Sequence, residues 1–95
     1  MHARVTTLSG SPGDVDSGIA NFEANVLPFA QEQEGAILLV DRRSGKALAI
    51  TLWEDEQALG ASEESADALR ATAASEMGAT DTPTVERYEV AIFEA

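Results

Sequence analysis

The chain contains no cysteine, which excludes disulfides, thiolate metal sites and a cysteine nucleophile. No apolar run approaches the ~18 residues of a membrane-spanning helix. The opening residues, MHARVTTLSG, lack the long apolar core of a signal peptide, so a soluble cytoplasmic protein with no membrane partner is expected. Cations are scarce: six Lys and Arg stand against seventeen Asp and Glu, a net charge of −11 that repels nucleic acid. Phosphate-binding glycine loops, HExxH and a serine elbow are also missing, since the Gly10-Ser11 pair opens a helix. Aromatics amount to one tryptophan, one tyrosine and three phenylalanines. With 95 residues there is room for a single domain spanning residues 1–95 and no second core.

What is present is organised. Residues 3–9 (ARVTTLS) are short and rich in β-branched types, and read as a strand. Gly10 to Asp14 punctuates the chain, with Ser11 as an expected N-cap and Pro12 at the first helical position. Ile19, Phe22, Val26 and Phe29 then form one stripe of an amphipathic helix, in which Pro28 should kink or end the ladder near Val26 and Leu27. Gln31 to Glu34 reads as a polar exit.

Residues 36–40 (AILLV) and 47–53 (ALAITLW) flank Asp41-Arg-Arg-Ser-Gly-Lys46, the pattern of a hairpin closed by a type I turn with Gly45 left-handed. Acids at Glu54 and Asp55 suit a helix start, Gly60 interrupts, and Ser62 is positioned to recap. Ala66, Leu69, Ala73 and Met77 repeat at helical spacing before a cap at Gly78. Residues 85–93 (VERYEVAIF) alternate and read as a last strand. The seven acids and single base between Glu54 and Glu76 read first as a solvated helix face and second as a docking surface for a basic partner.

Strand, helix, strand, strand, helix, strand predicts an α+β, ferredoxin-like βαββαβ fold: a four-stranded antiparallel sheet with both helices on one face. The middle strands are apolar on both sides, with Ile37 and Leu39 opposing Ala36, Leu38 and Val40, and Leu48, Ile50 and Leu52 opposing Ala47, Ala49 and Trp53. Helices cover one side. A second copy is the economical cover for the other, which predicts a symmetric homodimer joined through its sheet faces.

ARVTTLSGSPGDVDSGI, Val26-Leu-Pro28, LLVDRRSGKALAITLWEDEQAL and VERYEVAIF resemble the antibiotic biosynthesis monooxygenase (ABM) class of dimeric α+β barrels over nearly the whole chain. A departure is the short segment of six residues, 29–34, between Pro28 and Gly35, where the family has a longer glycine-containing loop. The resemblance implies a pocket for an aromatic small molecule near Trp53, and cofactor-independent oxidation of phenols or anthrones by O₂ with no metal. That chemistry needs an electron-rich anion stabilised by donors and a buried cation. Trp53 matches the family tryptophan by its place in Thr51-Leu-Trp-Glu54; Thr51, Phe22, Tyr88 and Arg70 are the further ligand-contact candidates. Arg70 and Tyr88 match no motif position, and both asparagines, Asn21 and Asn25, lie on the first helix.

Each candidate has a plainer reading. Trp53 can seal the helix–sheet seam, Phe22 and Phe29 can be core, Tyr88 can pack across strands, and Thr51 can be an ordinary strand residue. Haem-degrading relatives use a histidine on the second helix and an asparagine in the first strand; here Glu63, Glu64, Thr6 and Thr7 occupy those regions, and His2 reads as a frayed terminus. Haem binding is therefore disfavoured, and a non-catalytic homodimeric structural or regulatory domain is the alternative function.

Overall fold

A computed structural model describes residues 1–30 and 33–94. The strands are β1 (His2–Ser9), β2 (Gly35–Val40), β3 (Lys46–Trp53) and β4 (Thr84–Glu89). They form an antiparallel sheet in the order β2-β3-β1-β4. The helices are α1 (Val15–Asn21), α2 (Leu27–Ala30), α3 (Glu56–Ala61) and α4 (Glu63–Glu76). This is the expected ferredoxin-like arrangement.

Register decides which residues meet. Arg4 pairs with Thr51 and Arg87, Thr6 with Ala49 and Val85, and Leu8 with Ala47. Side chains alternate along a strand, so these residues share one face with Trp53, and α4 packs over it. Ile37, Leu39, Leu48, Ile50 and Tyr88 occupy the opposite face, where Ile37 is 40% and Leu39 49% exposed.

The hairpin forms as its turn residues dictate. Asp41 Oδ1 accepts from the Arg43 and Ser44 N–H groups, the Gly45 N–H donates to the Asp41 carbonyl, and Gly45 takes φ +81°. No side chain would fit at Gly45, because a Cβ would lie 2.4 Å from the Gly10 carbonyl oxygen. That contact belongs to a knot: the Gly10 N–H donates to the Gly45 carbonyl at 3.1 Å and the Ser11 N–H to the Met77 carbonyl at 2.8 Å. The end of β1, the hairpin turn and the C-terminus of α4 are thus tied together, with Met77, Leu8 and Ala47 packed beneath.

Pro28 perturbs the first helical stretch as expected, by a specific route. Between α1 and α2, residues Phe22–Val26 form a wide turn in which the Leu27 N–H reaches back five residues to the Phe22 carbonyl. Pro28 has no N–H to continue a regular ladder, and the chain absorbs the lost bond by taking in one extra residue. The helix therefore continues to Ala30. Of the expected polar exit, Gln31 and Glu32 lie outside the described residues.

Four expectations need correcting. Ser11 sits at the N-cap of the Pro12–Asp14 turn without a side-chain cap bond, its hydroxyl lying 3.4 Å from the Gly78 carbonyl instead. Ser62 precedes α4 but does not cap it; its hydroxyl donates to the Leu59 carbonyl at 2.7 Å. The real side-chain cap nearby is Asp55, which accepts from the Ala58 N–H at 2.8 Å. The last strand stops at Glu89, short of Phe93, because its partner β1 begins at His2, and the Val90 N–H makes the closing bond to the Met1 carbonyl. His2 is not frayed: it opens β1, paired with Trp53 on one side and Glu89 on the other.

Candidate functional site

Three strand residues two apart, Arg4, Thr6 and Leu8, face α4 across the sheet's buried side. Between them and the helices is a cavity of about 50 Å³. Thr51 and Ala49 complete its floor, Ala66, Leu69, Arg70 and Ala73 line it from α4, and Val26 and Phe29 close it from the first helical stretch. The small side chains at Ala49, Ala66 and Ala73 are what leave the space open.

Arg4 is the centre of the site. It is 3% exposed, and its Nη2 donates to the Leu59 carbonyl at 2.9 Å, Ser62 Oγ at 3.0 Å and Glu63 Oε1 at 2.7 Å. The guanidinium carbon sits 5.3 Å from the centroid of the Trp53 ring, a cation–π contact strengthened by exclusion of water. The break between α3 and α4 has a purpose in this geometry, since it supplies the Leu59 carbonyl, the Ser62 hydroxyl and the first-turn carboxylate of Glu63 together.

Glu63 gathers three arginines. Arg87 reaches its Oε1 from β4 at 2.5 Å, and Arg70 approaches its Oε2 at 3.6 Å while also pairing with Asp67. Partial burial pushes the Glu63 carboxyl upward. The hydrogen bond from Arg4, with the charges of Arg4, Arg87 and Arg70, outweighs that penalty and holds its pKa below the ordinary 4.5. Half of the chain's six basic residues converge here, and the other three, Arg42, Arg43 and Lys46, sit at the hairpin turn.

The five residues marked in the sequence scatter. Thr51 and Arg70 line the cavity. Trp53 stands directly behind it, 2% exposed, its Nε1–H donating to Thr51 Oγ1 at 2.9 Å and its ring edge-on to Phe29 at 5.7 Å. Arg4 and Phe29, which do line the cavity, are the side chains that cover it. Phe22 is buried at the start of the wide turn and is not among the lining residues. Tyr88 occupies the opposite face of the sheet, 49% exposed; its hydroxyl donates to Glu86 at 2.8 Å, which, with some desolvation and the carboxylate's charge, holds its pKa above 10. Asn21 and Asn25 are engaged with each other at 2.6 Å. Arg4 carried no mark in the sequence, where it reads as one polar position in a strand. The signal available was its alternation with Thr6 and Leu8 on what became the covered face.

Among the described residues there is no cluster of His, Asp and Glu able to hold a metal ion, and no helix long and apolar enough to cross a membrane. The chemistry on offer is a shielded cationic wall and two threonine hydroxyls beside an aromatic box.

A solved structure with the same course of chain is the monooxygenase from the gene ActVA-Orf6 of Streptomyces coelicolor, determined in complex with nanaomycin D. The match has a TM-score of 0.72 over 99% of this chain and 92% of that one, at 21% identity. The chain has that monooxygenase's fold. The ABM-like architecture anticipated from the sequence is borne out at this level. Curated relatives by sequence are the uncharacterised Mycobacterium tuberculosis proteins Rv2557, 38% identical over 94 residues, and Rv2558, 37% identical over 96. The chain spans about two-fifths of the length of these relatives, 41% and 40%. No family model matches the sequence.

Proposed function

We propose that residues 1–95 form one ABM-like domain that acts as a homodimer and binds an aromatic small molecule at the mouth of the cavity beside Trp53. Cytoplasmic location accompanies this reading as an expectation from the sequence alone. The observation that carries it is the cationic wall: Arg4 and Arg70 line a largely apolar cavity backed by an indole. A buried guanidinium favours an anion developing on a bound aromatic, which is what oxidation of a phenol or anthrone by O₂ without a cofactor demands. The fold neighbour's complex with nanaomycin D supports a small molecule as the ligand class.

Dimerisation is supported by the uncovered sheet face. Ile37 and Leu39 stand exposed next to half-buried Leu48 and Ile50. If each copy covers about 600 Å² of such surface, the gross gain at ~25 cal/mol/Å² exceeds typical association costs.

A second reading, a non-catalytic structural or regulatory dimer, is favoured by size. The cavity of about 50 Å³ is well below the ~300 Å³ at which ligand pockets begin. Oxygen uptake with an anthrone or quinol separates the two. Turnover that is lost in Trp53→Phe supports the first reading, and absent turnover with no saturable quenching of Trp53 emission supports the second.

A further inference from the structure

We propose that the cavity is a carboxylate site. An aromatic acid enters with its carboxylate toward Arg70 and Arg4 and its ring against the rim formed by Phe29 and Leu69. The proposal rests on the small-molecule reading above and names the ligand's class.

Charge is the first argument. Arg4, Arg70 and Arg87 share the carboxylates of Glu63 and Asp67, so three cations meet two anions. In a chain with a net charge of −11, this cluster is locally positive by one unit, and its inner cations, Arg4 and Arg70, are only 3% and 14% exposed. Uncompensated charge away from water is expensive unless something pairs with it.

The donors are the second argument. Arg70 spends its Nη2 on Asp67 and Glu63, while its Nη1 is buried without a hydrogen-bond partner among the described residues. Arg4 likewise commits Nη2 to three acceptors and leaves a buried Nε unpartnered. Both residues line the same cavity. Guanidinium N–H groups ask for oxygen, and a carboxylate offers the matching planar pair of acceptors.

Volume supplies the third. A cavity of about 50 Å³ is about a third of one that accepts benzene, so it admits a carboxylate and not a ring. The ring must remain at the half-buried rim, where Phe29 and Leu69 provide apolar contact.

The test is calorimetric titration of the intact protein, with Trp53 emission as a second readout, using benzoate, benzamide and a neutral anthrone. Benzoate should saturate and benzamide should bind at least tenfold more weakly. Arg70→Gln should weaken benzoate at least tenfold. Arg70→Lys, which keeps charge but loses the planar donors, should fall between, and Arg42→Gln at the hairpin should match the parent. Benzamide equal to benzoate, or benzoate indifferent to both Arg70 variants, overturns the proposal. Anthrone binding without benzoate binding overturns it while leaving the small-molecule reading intact; binding of neither ligand removes both.

Discussion

Arg4 of the first strand and Glu63 of the last helix meet at 2.7 Å, with the arginine side chain 3% and the carboxylate 31% exposed. This bond ties the first strand to the first turn of α4, 59 residues away along the chain, and it sets how α4 sits over the sheet. Removing the carboxylate leaves a buried cation that neither water nor another acid nearby can fully compensate.

Glu63→Gln should therefore destabilise the fold by about 2–3 kcal/mol, below the usual figure for a fully buried pair because the carboxylate is partly wet. Arg87→Gln, which removes a 47%-exposed partner of the same carboxylate, should cost under about 1 kcal/mol. Urea midpoints of the two variants check the ordering.

The same carboxylate predicts a pH dependence. Its folded-state pKa lies below the ordinary 4.5, so its contribution is fully present above the unfolded-state value and is lost as pH falls through the folded one. The stability gap between the parent and Glu63→Gln should be flat from neutral pH to near pH 5 and close as pH drops below about 4.5. Denaturant titrations at stepped pH would show it; a gap that widens on acidification contradicts the assignment.

Gly18 faces Met77 so closely that a Cβ would fall 1.7 Å from the sulfur. Gly18→Ala should lose about 1–3 kcal/mol by overpacking, despite alanine's better helix propensity. Met77→Ala opens a cavity on its own, yet the double variant should be more stable than the sum of the two losses implies. A thermal-unfolding double-mutant cycle measures that coupling.

Trp53→Phe deletes the indole N–H bond to Thr51 and the best face for Arg4. A loss of about 1–3 kcal/mol is expected. In the parent, the 2%-exposed indole should emit at short wavelength, with little quenching by iodide.

For the dimer, light scattering at micromolar concentration should return twice the 10.0 kDa chain mass. Leu39→Lys, at a 49%-exposed position on the open face, should give a monomer with unchanged far-ultraviolet circular dichroism. A parent mass near 10 kDa would remove the assembly from the proposed function.

Elements governed by local rules were legible in the sequence: the Asp41–Gly45 turn, the alternation that puts Trp53 on the Ala47–Ala49–Thr51 face, and the stripe from Ala66 to Met77. Sites assembled from distant segments were not. Arg4 acquires meaning only when β1 lies between β3 and β4 and the α3–α4 break is brought over it, 55 to 59 residues away along the chain. Tyr88 illustrates the converse. Alternation separates it from Arg87, but only β4's register on β1 shows that Arg87 faces the helices and Tyr88 does not. Strand β4 ends at Glu89 rather than Phe93 for a similar reason, since a strand is as long as its partner allows.

The wide turn at Phe22–Val26 also makes the chain's length at that point consequential. Removing a single residue there would restore an unbroken ladder of four-residue bonds up to Pro28, and by local criteria the helix would improve. Everything beyond the deletion would then rotate by about 100° about the helix axis, swinging Phe29 off the indole it meets at 5.7 Å and withdrawing Val26 and Phe29 from the cavity wall. The irregularity works as a phase adjustment between two halves of one helix.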